Sequence, residues 1–184
     1  MGSFKSFLDS HYLLYEAKFE TDLQQLLFML EKVRNSGNKV FIFGNGGSAS
    51  SASHAVVDFV KTAKRDDEKP IIALNVSEMV SLCTAYSNDI NFDSHFANIL
   101  KDLSRSGDLA LFLSVSGKSK NLIEAAEMCA NLQVDSFAIT GSKGSALMGA
   151  CQHGILFSSN DYQLVEDMHL MIIHWLTRKL RGNL

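Results

Sequence analysis

Five short apolar runs, each followed by a stretch with helical periodicity, constrain this chain more than any other feature. Lys39-Val40-Phe41-Ile42-Phe43 and Pro70 to Val76 are the first two. Leu109 to Leu113, Ser136 to Thr140 and His153 to Phe157 complete the set. Each is β-prone and too short for a buried helix. Helical patterns are expected over 49–64, 77–86, 93–104, 119–131 and 161–181, with a short turn near 145–150. Ahead of the first strand, residues 4–36 read as one or two helices, because Phe7, Leu8, Leu13, Leu14, Phe19, Leu23, Leu26, Leu27 and Leu30 recur at helical spacing. Strands alternating with helices imply parallel pairing, right-handed crossovers and helices on both faces. The expected fold class is α/β: a three-layer αβα sandwich around a central, mainly parallel five-stranded sheet, flavodoxin- or Rossmann-like.

The 184 residues fit one domain, 1–184, and 46% hydrophobic residues suffice for a core without staples. The net charge is −3 and no long basic run occurs, so no nucleic-acid partner is expected. No apolar run is long enough to span a bilayer, and no secretory leader opens the chain. Cys83, Cys129 and Cys151 are odd in number and form no CxxC pair. They read as free thiols of a reducing compartment, which makes the cytoplasm the expected location.

Sheets of this kind bind ligands at the carboxyl ends of their strands. Two loops there lead into helices. The first, Gly44-Asn45-Gly46-Gly47-Ser48-Ala49, has three glycines that bring bare N–H groups to a ligand. The helix that follows adds partial positive charge. The second, Ser114-Val115-Ser116-Gly117-Lys118-Ser119, offers three hydroxyls and a second helix start. Two such loops at one sheet edge point to an anionic, phosphate-bearing ligand. Neither is a P-loop. The first loop also fits the looser dinucleotide pattern Gly44-x-Gly46-x-x-Ala49, but the next strand ends in Asn75 and offers only Glu78 as a displaced acidic residue.

The run Phe43 to Ala49, with His54 six residues after Ser48, resembles the sugar isomerase (SIS) domain family, and within it the phosphoheptose isomerases. Ser87-Asn88-Asp89, Ser114-x-Ser116-Gly117-x-Ser119 and His169 to His174 extend the resemblance across nearly the whole chain. It implies an SIS fold, a homotetramer with active sites between subunits, and an N-terminal helical segment (about 4–36) used in assembly. It places Asn45, Gly46, Gly47, Ser48, Asp58, Asn88, Asp89, Ser114, Val115, Ser116, Ser119 and Glu166 around a sugar-phosphate substrate. Zinc-binding relatives imply metal ligands at His54, Asp58, Glu166 and His174, with Asp58 and His174 as the acid and base. Family members usually carry Glu at the position of Asp58 and Gln at that of Glu166. Val115 and Lys118 replace a usual Thr and Asn. Gln163, one turn before Glu166, is the other candidate for that position.

The implied reaction interconverts sedoheptulose 7-phosphate and D-glycero-D-manno-heptose 7-phosphate, for lipopolysaccharide or capsule. An enediol route needs a base at carbon, proton transfer at the oxygens and stabilisation of the oxyanion. A carboxylate and a histidine supply the first two, and a metal can supply the third. His54 and Asp58, four apart on a helix, share a face. Asp is one methylene shorter than Glu, about 1.5 Å. Glu166 and His174 lie about 12 Å apart along a helix and about 80° apart around it. His169 reads as packing or an interface contact, Lys118 as pointing to solvent, and Trp175, Met168 and Met171 as core or interface. His11, His95 and His153 have no evident partner. The rival reading is a non-catalytic SIS protein that binds a sugar phosphate or the replication initiator as a regulator.

Overall fold

A computed structural model describes residues 2–66 and 69–182. All five expected strands form: β1 (Lys39–Phe43), β2 (Ile72–Asn75), β3 (Leu109–Ser114), β4 (Asp135–Thr140) and β5 (His153–Leu156). They make one parallel sheet in the order β2-β1-β3-β4-β5. The direction of winding reverses between β1 and β3, so the crevice at their carboxyl ends is the switch point where such sheets take ligands. β3 is buried along its whole length, as a central strand covered on both faces must be.

Helices cover both faces. On one lie α2 (Phe19–Ser36), α3 (Gly47–Val57) and α8 (Tyr162–Arg181), packed over Val40, Ile42, Leu111 and Ile139. On the other lie α5 (His95–Leu103) and α6 (Lys120–Leu132), over Phe41, Phe43, Phe112 and Ala138. α4 (Val80–Asp89) and the short α7 (Ser145–Ala150) border that second face. Residues 4–36 resolve into two helices, with α1 (Phe4–Tyr12) separated from α2 by the segment 13–18.

Two boundaries differ from the sequence reading for local reasons. The helix expected over 77–86 begins later, because the Asn75 side chain accepts a hydrogen bond from the Ser77 N–H and sets up a single tight turn, Val76–Glu78, before α4. The helix expected over 49–64 is not uniform. At Asp58 it widens into a π turn through Thr62, closed by the Ala63 N–H donating to the Asp58 carbonyl at 2.7 Å. Such turns recur at functional sites. Among the described residues no helix is long and apolar enough to cross a membrane.

Candidate active site

The first loop leaves β1 and enters α3 through Gly46, whose φ of 56° and ψ of −126° suit glycine alone. The second leaves β3 and enters α6 through Ser119. Among the described residues neither N-cap side chain caps its helix, and Gly47, Ser48 and Ser119 at the two helix starts border the space between the loops. The loops are clasped to each other: Asn45 Nδ2 donates to Asn121 Oδ1 at 3.0 Å, and Asn121 Nδ2 donates back to Asn45 Oδ1 at 3.1 Å. Within the second loop the Gly117 N–H donates to Ser114 Oγ at 3.0 Å. Together they enclose a cavity of about 260 Å³ lined by Asn45, Gly46, Gly47, Ser48, Ser114, Val115, Ser116, Ser119, Tyr162 and Glu166. Eight loop residues named from sequence are thus brought to one place. Paired helix N-termini and hydroxyls make it an anion cradle.

Glu166 forms one wall. Its carboxylate lies so close to Gly47 that a Cβ there would fall 2.4–2.5 Å from both carboxylate oxygens. Gly47 therefore serves the side chain opposite as well as the turn. Gln163 is exposed and lines neither this cavity nor its neighbour, so Glu166 takes the inward position. Lys118 is exposed, in line with its expected orientation toward solvent.

A groove of about 370 Å³ continues from the cradle between α3 and α8, past Ser50, Ser51, Glu166, Asp167 and Leu170 to His54. At that end three groups converge. His54 Nε2 and His174 Nε2 are 2.9 Å apart. Asp58 Oδ2 stands 3.7 Å from the first and 3.8 Å from the second. It is buried, and it accepts no hydrogen bond among the described residues. A triangle with these sides has its centre about 2.0 Å from every corner, within the ~2.0–2.2 Å of zinc–nitrogen and zinc–oxygen bonds. The orphaned carboxylate oxygen and two facing imidazoles fit a divalent metal. Three protein ligands with an open position is the arrangement of catalytic zinc sites. The Asp in place of the family's Glu has not withdrawn from the histidines; its carboxylate faces both.

The four-ligand set expected from sequence is not assembled in full. His54, Asp58 and His174 cluster, and Glu166 lies outside the cluster, against Gly47. The reason is the helix itself, since eight residues of α8 separate Glu166 from His174 by about 12 Å. Asn88 and Asp89 also lie outside the cradle. They sit at the exposed end of α4, where Asn88 Nδ2 donates to Asp89 Oδ1, and α4 has no buried residue.

Three of the other histidines and two of the thiols have structural surroundings. His169 is fully buried and its Nε2–H donates to the Ile139 carbonyl at 3.1 Å; burial pushes its pKa down to about 4. His11 bridges the Phe7 carbonyl and Asp167, joining α1 to α8. His95 bonds the Phe92 carbonyl. Burial pushes the thiols of Cys129 and Cys151 up to about 12, so neither is a thiolate near neutral pH. Sequence reasoning missed Tyr162 in the cradle and Ser50, Ser51 and Leu170 in the groove. Only the helical period that places Gly47, Ser51, His54 and Asp58 on one face of α3 could have revealed the groove.

Comparison with known proteins bears on the family and the fold. The SIS domain family matches residues 14–141. The phosphoheptose isomerase of Thermodesulfovibrio yellowstonii is 35% identical over 84% of this chain and 76% of its own length. That of Campylobacter concisus is 32% identical over 79% of this chain and 77% of its own. The solved structure of a phosphoheptose isomerase from Francisella tularensis superposes with a TM-score of 0.81 over 99% of this chain and all of that one, at 24% identity, which bears on the fold alone. The chain belongs to the SIS domain family, in its phosphoheptose isomerase branch.

Proposed function

We propose that the protein is a ketose–aldose isomerase that interconverts sedoheptulose 7-phosphate and D-glycero-D-manno-heptose 7-phosphate, supplying heptose for lipopolysaccharide or capsule. One observation carries the reading: the anion cradle and the His54–Asp58–His174 cluster lie at two ends of one groove along α3. From Gly47 to His54 is about 10 Å along the helix. An extended seven-carbon chain of roughly 1.5 Å bonds, with its phosphate ester, spans a similar length. A phosphate held at Gly46–Ser48 and Ser114–Ser119 therefore leaves the far end of the sugar at the cluster.

Starting from the ketose, a proton leaves C1 and the C2 oxygen gains one, giving the enediol. A proton returned to C2 and lost from the C1 oxygen gives the aldose. The Asp58 carboxylate, buried with a free lone pair, suits the carbon-bound proton. His174 Nε2, beside it, suits transfer between the two oxygens. Alternatively, the same His54 and His174 Nε2 and Asp58 Oδ2 atoms would hold zinc, which when bound supplies Lewis-acid polarisation of the substrate oxygens and leaves proton transfer to the second Asp58 carboxylate oxygen. Glu166 is better placed to accept a hydrogen bond from a sugar hydroxyl next to the cradle than to join the metal set.

A homo-oligomer, in this family reading a tetramer, would cover the apolar side chains that α1 leaves exposed, Phe4 at 75% and Tyr12 at 81% among them. It would also give Asn88 and Asp89 a route to a neighbouring copy's site. The free thiols fit a cytoplasmic enzyme.

The test is purified protein with sedoheptulose 7-phosphate, with and without zinc, followed for aldose product. Turnover that disappears in Asp58→Ala and His174→Ala supports the isomerase. Tight phosphate binding with no turnover would sink it and leave a sugar-phosphate-binding regulator.

A further inference from the structure

α3 and α8 run side by side in the same direction, and they meet at three levels. At the first, Glu166 lies on Gly47. At the second, His174 faces His54 and Asp58. At the third, the two elements end on one buried guanidinium. Arg34 of α2 is 3% exposed. Its Nη2 donates to the Ala63 carbonyl at 3.1 Å, where the π turn ends, and its Nη1 donates to the Leu180 carbonyl at 3.0 Å, in the last turn of α8. Both carbonyls belong to helix ends, which lack intrahelical donors and carry partial negative charge. Arg65 adds a second guanidinium bond to Leu180 at 2.6 Å, and Glu31 lies 3.6 Å from Arg34 and 3.2 Å from Arg65.

Ala63 is five residues beyond Asp58, and Leu180 is six beyond His174. At 1.5 Å per residue the clamp stands roughly 8–9 Å beyond the cluster on both helices. A planar, rigid fork bonded to both ends fixes how far one helix can slide along the other. We infer that Arg34 is a positioning residue, which sets the distance of Asp58 and His54 from His174 and so tunes the affinity of that cluster for a divalent metal. It touches neither substrate nor the three ligands. The inference rests on the metal-binding reading of the cluster, but one of its readouts does not.

Arg34→Lys keeps the charge, yet an ammonium cannot hold both carbonyls in one plane. Zinc affinity is measured without substrate, by competition with a chromophoric chelator. It should weaken about 10- to 100-fold, the size of effect seen when groups that orient ligands are removed. With sedoheptulose 7-phosphate, kcat should fall while KM stays put, because the cradle is unaltered. A crystal structure of the variant should show the His54–His174 separation increased relative to wild type, whether or not either protein binds zinc or turns over substrate. Leu122→Ala, a cavity on the far face of the sheet, supplies a comparison that lowers the melting temperature and should leave zinc affinity unchanged. If Arg34→Lys does not fold, Glu31→Gln loosens the same clamp more gently and should shift zinc affinity in the same direction. A folded Arg34→Lys protein with wild-type zinc affinity, kcat and histidine separation would overturn the inference, as would unchanged zinc affinity in Glu31→Gln. Absence of zinc binding and turnover in the wild type would count against the reading of the site, and the crystallographic comparison would still decide the clamp.

Discussion

His54 Nε2 and His174 Nε2 face each other at 2.9 Å although 120 residues separate them in sequence. α3 brings one and α8 the other, and Asp58 closes the triangle from one turn beyond His54. Two imidazoles cannot both point an Nε2–H at this distance. At least one presents a lone pair, as a metal ligand or a proton acceptor must.

Asp58 already reaches both histidines, so lengthening it should harm the enzyme despite restoring the residue usual in relatives. Asp58→Glu pushes the carboxylate about 1.5 Å into the pair. A displacement near 1 Å costs about a hundredfold in rate, and kcat should fall by that order. Asp58→Asn should lose at least as much, since it removes the carboxylate proposed as the base. Steady-state kinetics on the two variants read this directly, and an Asp58→Glu enzyme faster than wild type would mean the triangle is wrongly drawn.

Glu166 places a carboxylate beside an anion cradle. Opposite the Gly47 end of α3, it would oppose a phosphate drawn to the helix N-termini. Glu166→Gln removes that repulsion, worth about 1 kcal/mol for charges roughly 4 Å apart in a watery setting. The KM for the sugar phosphate should drop about fivefold, and the gain should shrink in high salt. Unchanged KM at low salt would show that the carboxylate points away from the bound anion.

His169 ties stability to pH. Its folded pKa of about 4 lies below the ordinary histidine value because burial disfavours the charged ring. The unfolded chain therefore takes up a proton near pH 6.5 that the folded protein refuses until about pH 4. The stabilisation is fully present above pH 6.5 and is lost as pH falls toward 4. Between pH 7 and pH 5 this one group should cost about 2 kcal/mol of unfolding free energy. Urea titrations at the two pH values measure it. The difference between them should be smaller by that amount in His169→Gln, and an equal difference in both proteins would contradict the assignment.

The strands and the two cradle loops were legible in the sequence because each depends on local chemistry. Short apolar runs make buried strands, and glycines and serines at their ends make the loops that enclose the cavity. Asp58 and His174 were legible only through resemblance, since nothing local marks an aspartate in mid-helix as facing a histidine 116 positions later. The π turn that begins at Asp58 was not legible. It closes through the local Ala63–Asp58 bond, and its end is met by Arg34 from a distant segment, a contact that no local pattern announces. Glu166 lines the cavity beside Gly47 and stands outside the His54–Asp58–His174 cluster, as the roughly 12 Å of helix between it and His174, already readable from their spacing, requires. Asn88 and Asp89 lie on a helix with no buried residue, and a single copy of the chain does not bring them to the cradle.

The distance between a bound metal and the bound phosphate tests the central claim most directly, that the cradle and the cluster are two ends of one substrate site. Cobalt-loaded protein with sedoheptulose 7-phosphate gives it through the paramagnetic relaxation of the phosphorus signal. The groove along α3 predicts a separation of about 10 Å, seven residues of helix at 1.5 Å each. A phosphorus within direct coordination distance of the metal, or one that feels no metal at all, would contradict it.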